Sequence, residues 1–80
     1  MDAEVFEKIK EIVRAIVNQP GADVKPETTS DDVEGWDSLH HMMIITEIEK
    51  AFGVKFDFME ILDLKTVGDI CDLVEQRKNK

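Results

Sequence analysis

An all-α fold, a small four-helix bundle of three longer helices and one short one, is what this sequence predicts. Three observations carry that prediction. Apolar residues recur at steps of three and four in three separate stretches, cap-type residues (Asp37, Gly53, Thr66) punctuate them, and no two strand-like segments are present to pair with one another. A long loop is expected between the first and second helices. Eighty residues make one small domain, 1–80, and a composition of 42% hydrophobic and 35% charged residues supplies a core and argues against a disordered chain.

The first helix is expected from Asp2 to about Val17, where Val5, Ile9, Ile12 and Ile16 recur at helical spacing and Phe6, Val13 and Val17 widen the stripe. Asp2, Glu4 and Glu7 sit where the helix dipole favours acids, and Asn18-Gln19-Pro20-Gly21 is the stop. From about Gln19 to Trp36 there is no sustained periodicity, and Pro20, Gly21, Pro26 and Gly35 mark one long loop. Loops of this length in compact domains are usually functional or disordered. Val24, Val33 and Trp36 are the residues available to pin it to the bundle, and its length suits a link between two roughly parallel helices. An EF-hand is excluded, because a loop starting at Asp31 places Val33 and Gly35 at the next two ligand positions.

The second helix is expected from Ser38 to Phe52. Asp37 is a good N-cap, its carboxylate accepting from backbone N–H groups that have no partner inside the helix. Ser38 is then the first helical residue, where a phosphate on its hydroxyl would meet free N–H donors and the positive end of the dipole. Ile44, Ile45, Ile48, Ala51 and Phe52 form the core face, with His41 at its upper edge. Leu39, Met43, Thr46 and Lys50 fall opposite and Met42 at the border, so large apolar side chains lie near solvent beside Ser38. Two readings of Leu39 and Met42 stand here: a docking surface, or a cover for loop residues such as Trp36.

Gly53 fits a helix C-cap, after which Val54, Phe56 and Phe58 alternate with Lys55 and Asp57. A lone strand would have no partner, so an extended connection whose aromatics plug the core is expected. A short third helix follows from Asp57 to about Leu62. Thr66-Val67-Gly68-Asp69 has the form of a capping box and opens a last helix to about Arg77, with Val67, Ile70, Cys71 and Val74 on its core stripe and Leu73 at the edge. Cys71 on that stripe reads as a small core residue rather than a reactive thiol.

Several function classes are disfavoured by composition. With Cys71 as the only cysteine there is no intramolecular disulfide, which suits a reducing compartment. The longest apolar run falls far short of the ~20 residues that span a bilayer, and Met1-Asp2-Ala3-Glu4 lacks the basic start of a signal peptide, so a cytoplasmic monomer without membrane insertion is expected. The net charge is −8; Glu27, Asp31, Asp32, Glu34, Asp37, Glu47 and Glu49 lie between Lys25 and Lys50 with no lysine or arginine among them, so that interval carries −7. Such a field repels nucleic acid and steers basic protein surfaces toward Ser38, although a solvated acidic loop has the same composition. A hydrolase is disfavoured because Ser38, His41 and Asp37 lie within five residues of one helix, whereas a catalytic relay converges from separate elements, and Gly-x-Ser-x-Gly is absent. Metal binding by His40 and His41 is disfavoured because neighbouring helical residues diverge by ~100°; His40 is expected at solvent and His41 packed or lining a pocket.

Asp37-Ser38-Leu39 followed by a helix ending Ile48-Glu49-Lys50-Ala51-Phe52-Gly53 resembles the acyl carrier protein family, and length, acidity and helix order extend the resemblance over nearly the whole chain. The resemblance implies a non-catalytic carrier with 4′-phosphopantetheine esterified to Ser38, acyl groups held as thioesters on its thiol, and a bound chain shielded near Ile44, Ile45 and Ile48. It implies as partners a phosphopantetheinyl transferase using coenzyme A, and acyl-loading and acyl-transfer enzymes of lipid, fatty acid or polyketide-type biosynthesis with basic docking surfaces. The fatty-acid-synthesis members usually place acids where His40 and Met43 stand here, which points to a specialised pathway. The competing expectation is an acidic helical interaction domain with no prosthetic group.

Overall fold

Caps and apolar periodicity set four helices along the chain. The computed structural model describes residues 2–78, with α1 at Ala3–Ile16, α2 at Ser38–Phe52, α3 at Phe58–Asp63 and α4 at Val67–Lys78, and no strand among the described residues. Met1, Asn79 and Lys80, the ends of the expected domain, lie outside the described residues. α1, which packs against both α2 and α4, is the central element.

Asp2 caps α1, its Oδ1 accepting from the backbone N–H groups of Glu4 (2.9 Å) and Val5 (3.4 Å). Its own N–H donates to Glu75 Oε2 on α4 at 3.1 Å, which ties the two helices at one end. Asn18 ends the helix in the left-handed region (φ 57°), and the Gln19 N–H returns to the Arg14 carbonyl at 2.9 Å. The stripe runs Val5, Ile9, Val13 and Val17; Ile12 and Ile16, expected at its centre, flank it half-buried. A helix packed against two others centres its buried face between them, and Ile16 turns instead toward the cleft beside Leu39 and Met43.

The long connection is ordered by contacts that no local pattern announces. Val24, Val33 and Trp36 are buried as expected. In addition, the N–H groups of Val67 and Gly68, which the first turn of α4 leaves unpaired, donate to the carbonyls of Thr28 (2.9 Å) and Pro26 (2.7 Å), and Thr29 bridges Thr66. Arg14 Nε donates to the Ala22 carbonyl at 2.7 Å. The connection is therefore fastened to α1 and α4 before a 3-10 turn, Ser30–Asp32, delivers it toward α2.

Ile44, Ile45 and Ile48 from α2 meet Val67, Ile70, Cys71 and Val74 from α4 in one core, with Leu73 just within it. Ala51 is exposed and Phe52 only half-buried, because helical phase fixes a residue's side and not whether another element covers it. The reciprocal pair Asp69 N–H to Thr66 Oγ1 and Thr66 N–H to Asp69 Oδ2, both 3.1 Å, forms the expected capping box. In the connection after Gly53, Phe56 is buried with its N–H on Glu49 Oε2 at 2.9 Å, but Phe58 does not plug the core. It opens α3, where the alternation of an extended chain gives way to helical rotation, and it points outward with Met59 and Leu62. Only Ile61 of α3 is buried. Arg77 of α4 pairs with Glu60 and donates to the Lys55 carbonyl at 3.1 Å, clasping α3 to the bundle.

Candidate functional site

The chain enters α2 through a turn that needs glycine. Gly35 has φ +89°, and a Cβ there would come within 3.2 Å of the Val17 carbonyl oxygen. The turn sends Trp36 into the core and leaves Asp37 outside as the N-cap. Asp37 Oδ1 accepts from the His40 backbone N–H at 2.8 Å and lies 2.6 Å from His40 Nδ1. The backbone N–H of His40, and after it the His40 side chain, hold the Asp37 carboxyl below the usual carboxylate value. Ser38, exposed, is the first residue of α2.

The neighbouring histidines part, as their ~100° separation requires. His40, expected at solvent, is a partly covered partner of Asp37 instead, because positions three apart on a helix share a face. His41 is the pocket-lining histidine: its Nδ1 accepts from Trp36 Nε1–H at 3.1 Å, and the two rings lie edge to edge within 25° of coplanar. Neither imidazole is hydrogen-bonded to Ser38 among the described residues. Cys71 sits in the core, where burial first, and then the nearby Glu75 and Asp72 carboxylates, push its thiol up to about 11.

Ser38 opens onto a groove of about 580 Å³. Trp36, His41 and Met42 line one side, Phe58, Ile61, Leu62 and Leu64 the other, and Ser30 and Asp31 the rim. Ile44, Ile45 and Ile48, the residues expected to shelter a bound chain, are packed core and do not line it. On the other flank of α2, Leu39 (68% exposed) and Met43 (43%) border a second cleft with Met42 and Ile16, and Met42 lines the Trp36 groove as well. The groove and the Trp36–His41 pair escaped sequence reasoning; Asp37–His40 was available from its spacing of three. No helix among the described residues is long and apolar enough to cross a membrane.

Comparison with known proteins gives this geometry its class. Residues 7–74 match the family model of the phosphopantetheine attachment site. The chain is 40% identical over 73 residues to the acyl carrier protein of Streptococcus pneumoniae, covering 91% of this chain and 95% of that one. It is 34% identical over 71 residues to the acyl carrier protein of Acidothermus cellulolyticus, covering 89% and 84%. In structure it is similar to the holo acyl carrier protein of Geobacter metallireducens, solved by NMR in solution, with a TM-score of 0.83 and 33% identity over 91% of this chain and 84% of that one. The chain belongs to the acyl carrier protein family. It is a carrier, non-catalytic by family, and its prosthetic group is 4′-phosphopantetheine.

Proposed function

We propose that Ser38 bears the 4′-phosphopantetheine arm within a single acyl carrier domain, 1–80, and that a phosphopantetheinyl transferase installs it from coenzyme A. The observation that carries this reading is the exposed Ser38 hydroxyl at the first position of α2, directly after the Asp37 cap and at the mouth of an open groove. The site fits the group. The first-turn N–H groups of α2 and its dipole favour the phosphate, the adjacent Asp37 carboxylate is engaged by the His40 N–H and ring, and the apolar wall of Phe58, Ile61 and Leu62 suits the attached chain. When bound, the group supplies a terminal thiol on which partner enzymes make and break thioesters. The protein's own part is address and shelter.

The partners of this reading are acyl-loading and acyl-transfer enzymes of a specialised lipid or polyketide-type pathway, meeting a cytoplasmic monomer through basic surfaces. Its support is the −7 between Lys25 and Lys50, the single thiol, and His40 and Met43 in place of acids. The test is intact mass after incubation with coenzyme A and a promiscuous transferase. One phosphopantetheine is expected on the protein and none on Ser38→Ala, whose helical circular dichroism stays unchanged. Modification persisting in Ser38→Ala overturns the assignment, and a wild-type protein that gains no mass favours the interaction-domain reading.

A further inference from the structure

We infer that His41 is a phosphate-binding residue, donating from Nε2–H to a non-ester oxygen of the phosphodiester on Ser38. This rests on Ser38 as the attachment site. An indole N–H only donates, so the His41 Nδ1 that faces Trp36 Nε1 at 3.1 Å must be bare, and the ring's proton sits on Nε2. Trp36 is buried and its ring lies within 25° of the imidazole plane, so the edge-to-edge bond fixes the ring plane as well as the tautomer. Nε2 has no partner among the described residues and is not sealed from solvent.

The position of the ring supplies the target. His41 stands one turn after Ser38 on the same face, helical side chains lean toward the N-terminus, and both residues line one groove. The local charges narrow the choice of donor. An anion on Ser38 has Asp37 and Asp31 for neighbours, and no lysine or arginine occurs between Lys25 and Lys50. The side-chain donors this part of the chain offers beside Ser38 are two imidazoles and the freely rotating Ser30 hydroxyl on the groove, and His40 is engaged by Asp37. Of these His41 is the one whose ring is already oriented by a partner that leaves a donor free, so it holds the phosphate, with Trp36 as the residue that positions it.

The experiment uses the full chain, 15N-labelled, before and after loading with coenzyme A and a promiscuous transferase, at a pH well above the ordinary histidine range. Intact mass and peptide mapping first locate the arm; an arm away from Ser38 overturns the attachment reading and this one with it. Long-range imidazole spectra of the unloaded protein should show His41 protonated at Nε2 and bare at Nδ1. Loading at Ser38 should move the Nε2–H resonance downfield and slow its exchange with water roughly tenfold or more, as a charge-assisted hydrogen bond would. The 31P resonance should shift in His41→Phe, which keeps a ring against Trp36, and return part of the way in His41→Gln. A proton on Nδ1 in the unloaded protein overturns the inference. So does an Nε2–H that neither moves nor slows with the arm on Ser38, or a 31P resonance identical in wild type and His41→Phe.

Discussion

Asp37 concentrates two roles in one carboxylate, since it caps α2 through the His40 N–H and pairs with the His40 ring. Both interactions favour its ionised form, with the backbone N–H the larger cause, and the folded-state pKa lies below the ordinary value of 3.8. For a carboxyl with a depressed pKa the stabilisation is fully present above the unfolded value. It is lost as pH falls below 3.8 through the lower folded value. Asp37→Asn, which still caps, should therefore have a shallower acid-unfolding limb than wild type by circular dichroism; superimposable limbs would remove Asp37 from the account. Asp37 and Ser38 were legible in the sequence because capping is chemistry between residues two or three apart. The Trp36–His41 bond was not legible in this way. It spans the non-helical entry to α2 and exists only because Gly35 turns the indole back under the helix.

At the scale of elements, the turns that position α2 at its two ends carry unequal constraints. Gly35 combines a positive φ with a tight approach to the Val17 carbonyl, whereas Gly53, at φ +65°, closes α2 with nothing within 4 Å of a would-be Cβ. Gly53→Ala should cost about 1 kcal/mol, the conformational penalty alone. Gly35→Ala adds crowding against backbone and should cost about 2–3 kcal/mol. Thermal or urea unfolding of the two variants checks the order, and equal losses would mean that the Val17 contact relaxes freely. The helices themselves were readable to within a residue or so, because cap signals at Asp37, Gly53 and Thr66 and the apolar stripes are local; Asp2, expected as the first residue of α1, is its N-cap. What escaped was which elements cover which. The fastening of Pro26 and Thr28 to the start of α4 is backbone pairing across some forty residues, and backbone groups leave no mark on the sequence. Likewise, Phe58 and Ala51 carry apolar side chains that read as core, and only the placement of α3 and the end of α2 shows them uncovered.

The whole molecule presents a partner with an acidic field around a neutral and apolar spot. The net charge of −8 should make association with a basic transferase slow as salt rises, measured by stopped flow; a rate flat between low and physiological ionic strength would count against steering. Steering brings basic partners in general, so choice among them must come from the surface beside Ser38. There His40 donates to Asp37 and occupies a carboxylate oxygen that a partner arginine or lysine would otherwise meet, while Met43 offers an exposed thioether. Rim ion pairs of this kind are worth about 0.2–1 kcal/mol each, so two of them amount to about twofold to thirtyfold in rate or affinity. The double variant His40→Asp, Met43→Glu should accordingly accept malonyl groups from a general malonyl transferase about twofold to thirtyfold faster than wild type at fixed salt. Because His40→Asp also deprives Asp37 of its partner and sets a second carboxylate three residues away, the variant should melt at a lower temperature. A gain in transfer rate despite that loss cannot come from a better-ordered α2 and must come from the partner's side of the contact. If the unaltered protein already matches a fatty-acid-synthesis carrier and the double variant gains nothing, these two positions do not set its pathway.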